Sequence, residues 1–207
     1  MRNTARYALL VLLSAITLVL VLGTPVELQA QSPWLQVIDQ HLAATSDPTK
    51  PTMAIDNDPG SEQILAQTVT AGVTGTLYAI QLPIGCASGR LIVEIRGVDP
   101  TTGEPTAAVI RSKRIQASRL PTSPSTTFEE IRLPGGMRFS AGDRFAIVLR
   151  NETGSCGLLM GQAGIGGYAG GEAFFDARPN PPGWVPFEDF GSDPADLPFV
   201  TIMRVRS

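Results

Sequence analysis

The chain is 207 residues long and carries 16 basic against 19 acidic side chains, a formal net charge of −3. That is enough chain for one domain with a real core, and too little positive charge for a protein whose main partner is nucleic acid. One histidine and two cysteines do not supply a four-ligand zinc site at any usual spacing.

Arg2 and Arg6 precede an apolar run, Leu9 to Leu22, and a possible cut site with a small last residue follows at Leu28-Gln29-Ala30. This layout predicts a secretory signal peptide over residues 1–30, cut after Ala30. A bilayer span needs roughly 20 apolar residues, so the run is short for one. No stable membrane span is expected after cleavage; the alternative is the same run kept uncut as an anchor. Residues 31–52 read as a lead segment and linker. In it "SPWLQVIDQHLAA" has its apolar residues at helical spacing but is short and could equally be extended, and "ATSDPTKPT" is punctuated like a linker. A β-sandwich domain is expected over 53–207.

That domain opens on "DNDPGSE", where Asp56, Asp58 and Glu62 offer carboxylates of the kind calcium takes. The same residue types make a surface turn before a strand at Gln63. Further along, period-two alternation marks strands. Tyr78, Ile80, Leu82 and Ile84 share one face; Leu91, Val93 and Ile95 oppose Ile92, Glu94 and Arg96. Ile131 and Leu133 oppose Glu130 and Arg132, and Phe145, Ile147 and Leu149 oppose Arg144 and Arg150. Near the end, Phe199, Met203 and Val205 oppose Arg204 and Arg206. Weaker strands are expected over 63–70, 107–115, 157–162 and 172–176. The stretch around Asp99, Pro100 and Gly103 reads as a turn. With 21 Gly and 17 Pro between such segments, the pattern is that of an all-β antiparallel sandwich or barrel.

Cys86 and Cys156 both follow the leader, and an oxidising compartment makes a disulfide between them the expectation. Catalysis has little to build on. His41 has no nucleophile pattern to serve, and Glu129 and Glu130, as strand neighbours, face opposite ways. The late loop gathers Glu188, Asp189, Asp193 and Asp196, which supports an alternative reading as a hydrolase using paired carboxylates. "GIGGYA" has the spacing of a dinucleotide loop, but "GGEAFFDARPNPP" after it cannot carry the helix that motif needs. Arg111 to Arg114 and Arg119 read as charges guarding an edge strand. Tyr168, Trp184, Phe187 and Phe190 lie in late loops, where rings either stack on a ligand or cover the end of the core.

In order along the chain, "VIDQ", "LAQTVTAGVTGTLYAIQLPIGC", "LIVEIRGVD…GEPT", "FSAGDRFAIVL" and "CG…YAGGEAFF…W…DLPF" resemble secreted bacterial choice-of-anchor domains, over roughly Val37 to Val205. The resemblance implies a jelly-roll-like sandwich on exported or surface proteins, with "VIDQ" opening the sheet as a strand. It brings no active-site residue. The function expected is therefore a secreted, extracellular, non-catalytic module whose partner is a glycan or another cell-surface component. The alternatives are the hydrolase above or a purely structural extracellular protein. No cofactor is expected, calcium being the one ion with candidate ligands.

Overall fold

The computed structural model describes residues 33–44, 52–58, 61–122, 124, 126–161, 167–178, 183–190 and 196–207, apart from the side chains at 58, 61 and 190. The leader at 1–30 and the linker residues 45–51 lie outside that description. The strands, with the bounds observed, are β1 (Trp34–Leu42), β2 (Thr52–Asp58), β3 (Ser61–Thr70), β4 (Gly75–Leu82), β5 (Ile84–Cys86), β6 (Arg90–Val98) and β7 (Pro105–Gln116). They continue with β8 (Glu129–Phe139), β9 (Arg144–Thr153), β10 (Ser155–Leu159), β11 (Ala173–Arg178), β12 (Val185–Pro186) and β13 (Phe199–Arg206). Short 3-10 turns occupy Ala117–Arg119 and Phe187–Phe190. Among the described residues no helix is long and apolar enough to cross a membrane.

Among the described residues all strand pairings are antiparallel. One sheet has the order β1-β13-β4-β8; the other runs β5-β10-β2-β3-β9-β6-β7, with β11 added against β3 and β12 against β11. Set aside the five shortest strands, β2, β5, β10, β11 and β12, and number the rest from one to eight. The orders become 1-8-3-6 and 2-7-4-5, the two interleaved sheets of a jelly roll. β1 is a strand rather than the helix its spacing allowed. Val37 and Leu42 turn to the core while Trp34, Gln36 and Ile38 line the other face, opposite Arg206, Arg204 and Ile202 of β13.

The two sheets close over one apolar interior. Leu65 and Val69, Leu91 to Ile95, Phe145 to Leu149, and Phe199 with Met203 fill it at alternate positions, joined by Leu77, Ile80 and Leu82 across a bulge in β4. Phe139 and Phe145 stack there at 4.6 Å. Cys86 and Cys156 sit directly opposite each other in the β5–β10 pair and are joined, with Cα atoms 3.9 Å apart. The glycines beside them have a reason. Gly89 and Gly154 both have positive φ, and a Cβ at Gly89 would fall 1.8 Å from the Thr153 carbonyl oxygen; only a residue without a side chain fits. A buried disulfide of this kind suits an oxidising, extracellular-type compartment.

The segment expected as a plain turn, Asp56–Glu62, is a β-hairpin instead, with Asp58 paired to Ser61. The Asp99 turn between β6 and β7 is as the sequence predicts. The Asp99 carboxylate accepts the Thr101 and Thr102 N–H groups, which holds its pKa below the ordinary value, and the Gly103 N–H donates to its carbonyl. β7 is an edge strand, and Arg111 to Arg114 are exposed along it.

Candidate binding site

The outer face of the larger sheet is not simply polar. Ile64 and Ala66 of β3, Ala146 and Val148 of β9 and Phe174 of β11 form a second buried apolar cluster on that face, with Trp184 packed against it. Its register is set by strand pairing. Phe174 stands opposite Ala66 and Asp176 opposite Ile64, while Val148 stands opposite both Ala66 and Glu94. Trp184 arrives there because Val185 pairs with Phe175. Phe175 and its neighbour Phe187 turn to the core, so the residue one step before Val185 turns outward.

Beside this apolar floor lie three carboxylates and three guanidinium groups, Glu62, Glu94 and Asp176 with Arg96, Arg150 and Arg178, which together with Trp184 line a groove of about 420 Å³. Glu94 is only 3 % exposed. Its Oε2 accepts from Arg96 Nε at 2.8 Å and Nη2 at 2.5 Å, and its Oε1 from Arg150 Nε at 2.8 Å. Asp176 is buried too, and its Oδ2 accepts from Arg178 at 2.9 Å and 3.0 Å while its Oδ1 accepts the Gly183 N–H at 3.2 Å. A carboxylate this dry needs such partners, because an unpaired one would be prohibitively costly. The pairing also raises the Arg178 pKa, through its hydrogen bond to Asp176. A guanidinium carries five N–H donors, and the bond from Arg150 to Glu94 uses one. The groove thus combines an apolar floor, an aromatic wall and fixed donors, with its formal charges balanced.

The residues singled out in the sequence separate in space. Trp184 lines the groove. Phe187 is fully buried, edge-on to Phe175 at 5.7 Å, so it is a core residue; a ring with no open face cannot stack on a ligand. Tyr168 is committed internally. Its ring packs edge-on to Phe199 at 5.0 Å, and its hydroxyl lies 3.0 Å from Gln40 Oε1 and 3.2 Å from the Thr70 carbonyl. The Phe190 side chain lies outside the described residues, as does Asp193. For the calcium ligands, the hairpin sets Asp56 opposite Gln63 and Asn57 opposite Glu62. Asp56 follows the core residue Ile55, and Glu62 lines the groove with Arg178; the Asp58 side chain lies outside the description. Among the described residues no group of three or more acidic, His or Cys side chains is placed to hold a metal.

The late-loop carboxylates are divided as well. Asp196 is buried and accepts from Gln67 Nε2 at 2.9 Å and the Tyr168 N–H at 2.6 Å, while Glu188 and Asp189 are exposed. Near them Glu172, which sequence reasoning passed over, has its pKa raised, first by burial and then by repulsion from Glu188, Asp196 and Asp189. A carboxyl with a raised folded-state pKa favours the fold while protonated, and that contribution is lost as pH rises through its titration range. Glu172→Gln is therefore expected to raise the melting temperature relative to wild type above pH 4.5, the ordinary value, and not below it. Thermal melts of both proteins across that range check this.

Compared with family models, curated proteins and solved structures, the chain has no match.

Proposed function

We propose that the protein is a secreted, non-catalytic jelly-roll module that binds a glycan in the Trp184 groove. The observation that carries this is the meeting of Trp184 with the clamped Glu94 and Asp176 and their arginines in one groove on an outer sheet face. A pyranose ring is amphipathic: its C–H face suits an aromatic ring, and its hydroxyls suit planar, pre-oriented donors and acceptors. Binding sites of this kind combine apolar walls with a few fixed polar groups. Balanced charge in the groove suits a neutral sugar better than a polyanion. The leader pattern at 1–30 and the buried disulfide support export, and the resemblance of Val37–Val205 to choice-of-anchor domains agrees with a surface role.

A glycan array followed by calorimetry on the best hit tests it. Trp184→Ala is expected to weaken binding by at least about tenfold, in line with the loss of a buried aromatic anchor. Arg178→Lys, which keeps a cation beside buried Asp176 but removes the planar guanidinium, is expected to cost several-fold. No hit on the array, or an affinity unchanged by Trp184→Ala, contradicts the reading. The hydrolase alternative predicts turnover of polysaccharides or esters that Glu188→Gln abolishes.

A further inference from the structure

We propose that the outer face of the four-stranded sheet is a docking surface for a lipid bilayer with anionic headgroups. Strand register maps this face row by row. Trp34 lies opposite Arg206; Gln36, Arg204, Thr76 and Arg138 form the next row; Ile38, Ile202, Ala79 and Arg132 form the third. A fourth row carries Gln81 and Glu130, and Glu130 is ion-paired with Arg132 at 2.8 Å. Four arginines thus share one face with a single carboxylate in these rows, on a chain whose net charge is −3. The face is broad, about 15 Å from the first strand to the fourth, which suits a plane of headgroups.

Two features choose a bilayer over a soluble polyanion. First, each of two rings on this face carries an arginine. Arg204 stacks on Tyr78 with its guanidinium carbon 3.7 Å from the ring centre, and Arg206 lies 5.4 Å from that of Trp34. The rings therefore hold guanidinium planes in place, the group best suited to grip phosphate in two-point fashion. Second, the same face ends in exposed apolar side chains on the edge strand. Ile38 is 68 % exposed, above every other large hydrophobic among the described residues, and Trp34 is 39 % exposed. A water-soluble chain gains nothing from Ile38. A bilayer takes it into the boundary between headgroup and acyl chain while the arginines stay at the phosphates. The Trp184 groove lies on the outer face of the other sheet, so a domain docked this way turns its groove away from the lipid.

Vesicle co-sedimentation tests this, using the chain from Gln31 so that the leader cannot contribute; both sheets and the whole core lie within Pro33–Ser207. The protein is expected to bind vesicles of phosphatidylcholine mixed with phosphatidylglycerol, to release with added salt, and to ignore phosphatidylcholine alone. Each basic residue near such a surface contributes about fivefold in binding, so Arg138→Glu with Arg206→Glu is expected to weaken it well over tenfold. Ile38→Ser leaves the charge unchanged and replaces a side chain that is mostly exposed; a several-fold loss is expected. Equal binding to both kinds of vesicle, or indifference to these substitutions and to salt, overturns the proposal. So does binding to soluble polygalacturonate with none to phosphatidylglycerol vesicles. Should the double arginine variant fail to fold, the Ile38→Ser and salt results decide alone.

Discussion

Replacing Cys86 and Cys156 together with alanine is expected to lower stability by about 4 kcal/mol. The bond closes a loop across a sequence separation of 70, and freeing a loop of that length returns roughly that much chain entropy to the unfolded state. For a domain of this size that is on the order of 10 °C in melting temperature. The location adds to the effect. The bond ties β5, at the edge of its sheet, to β10, and both cysteines belong to the core. Burial also makes the bond slow to reduce unless the fold opens. Urea unfolding of the double-alanine variant beside wild type measures the change; a loss below about 1 kcal/mol would show that the bond constrains little.

Glu94→Ala is expected to cost about 3 kcal/mol, because removing one partner of a buried ion pair leaves the other charges uncompensated. Here two guanidinium groups, Arg96 and Arg150, face the vacated position. Arg150 is the more exposed of the two and relaxes toward water, which keeps the cost near the lower end of the usual range. Glu130→Ala supplies the control. It has the same acid-x-Arg spacing and the same 2.8 Å contact, to Arg132, but Arg132 is mostly exposed, and such a pair contributes little. Denaturant melts of the two variants separate the cases; equal losses would mean that burial of Glu94 does not govern its energetics.

Much of the fold is legible in the sequence, for reasons particular residues make plain. Leu91, Val93 and Ile95, like Phe145, Ile147 and Leu149, alternate cleanly, and period two leaves a half-buried strand as the only regular structure they fit. β1 and β2 were harder. The apolar residues of β1 satisfy helical spacing as well as strand spacing, and pairing with β13 decides between them. β2 carries Asp56, Asn57 and Asp58, which locally favour a turn, and is a strand because β3 and β10 flank it.

The groove was less legible, because alternation assigns polar positions to solvent. Alternation assigns Glu94 and Arg96 to an outer face, and they are on it with Asp176, but that face is itself partly buried under Trp184, Phe174 and neighbouring guanidinium groups. One signal was present. An acid followed two residues later by arginine occurs at Glu94–Arg96, Glu130–Arg132 and Asp176–Arg178, and each forms an ion pair along one face of its strand. The spacing identifies the pairs, while only the three-dimensional arrangement shows which are dry. Phe187 illustrates the reverse. A ring in a late loop looks available from sequence, and here the 3-10 turn folds it into the core.

The central claim, that ligand is held in the Trp184 groove, is tested most directly by following the indole N–H signals of the two tryptophans by NMR while titrating the best glycan from the array. Trp34 and Trp184 lie on opposite outer faces, so each reports on its own surface. The expected result is a saturable shift of the Trp184 signal with that of Trp34 unmoved. A shift confined to Trp34, or saturation of binding with neither signal moving, would contradict it.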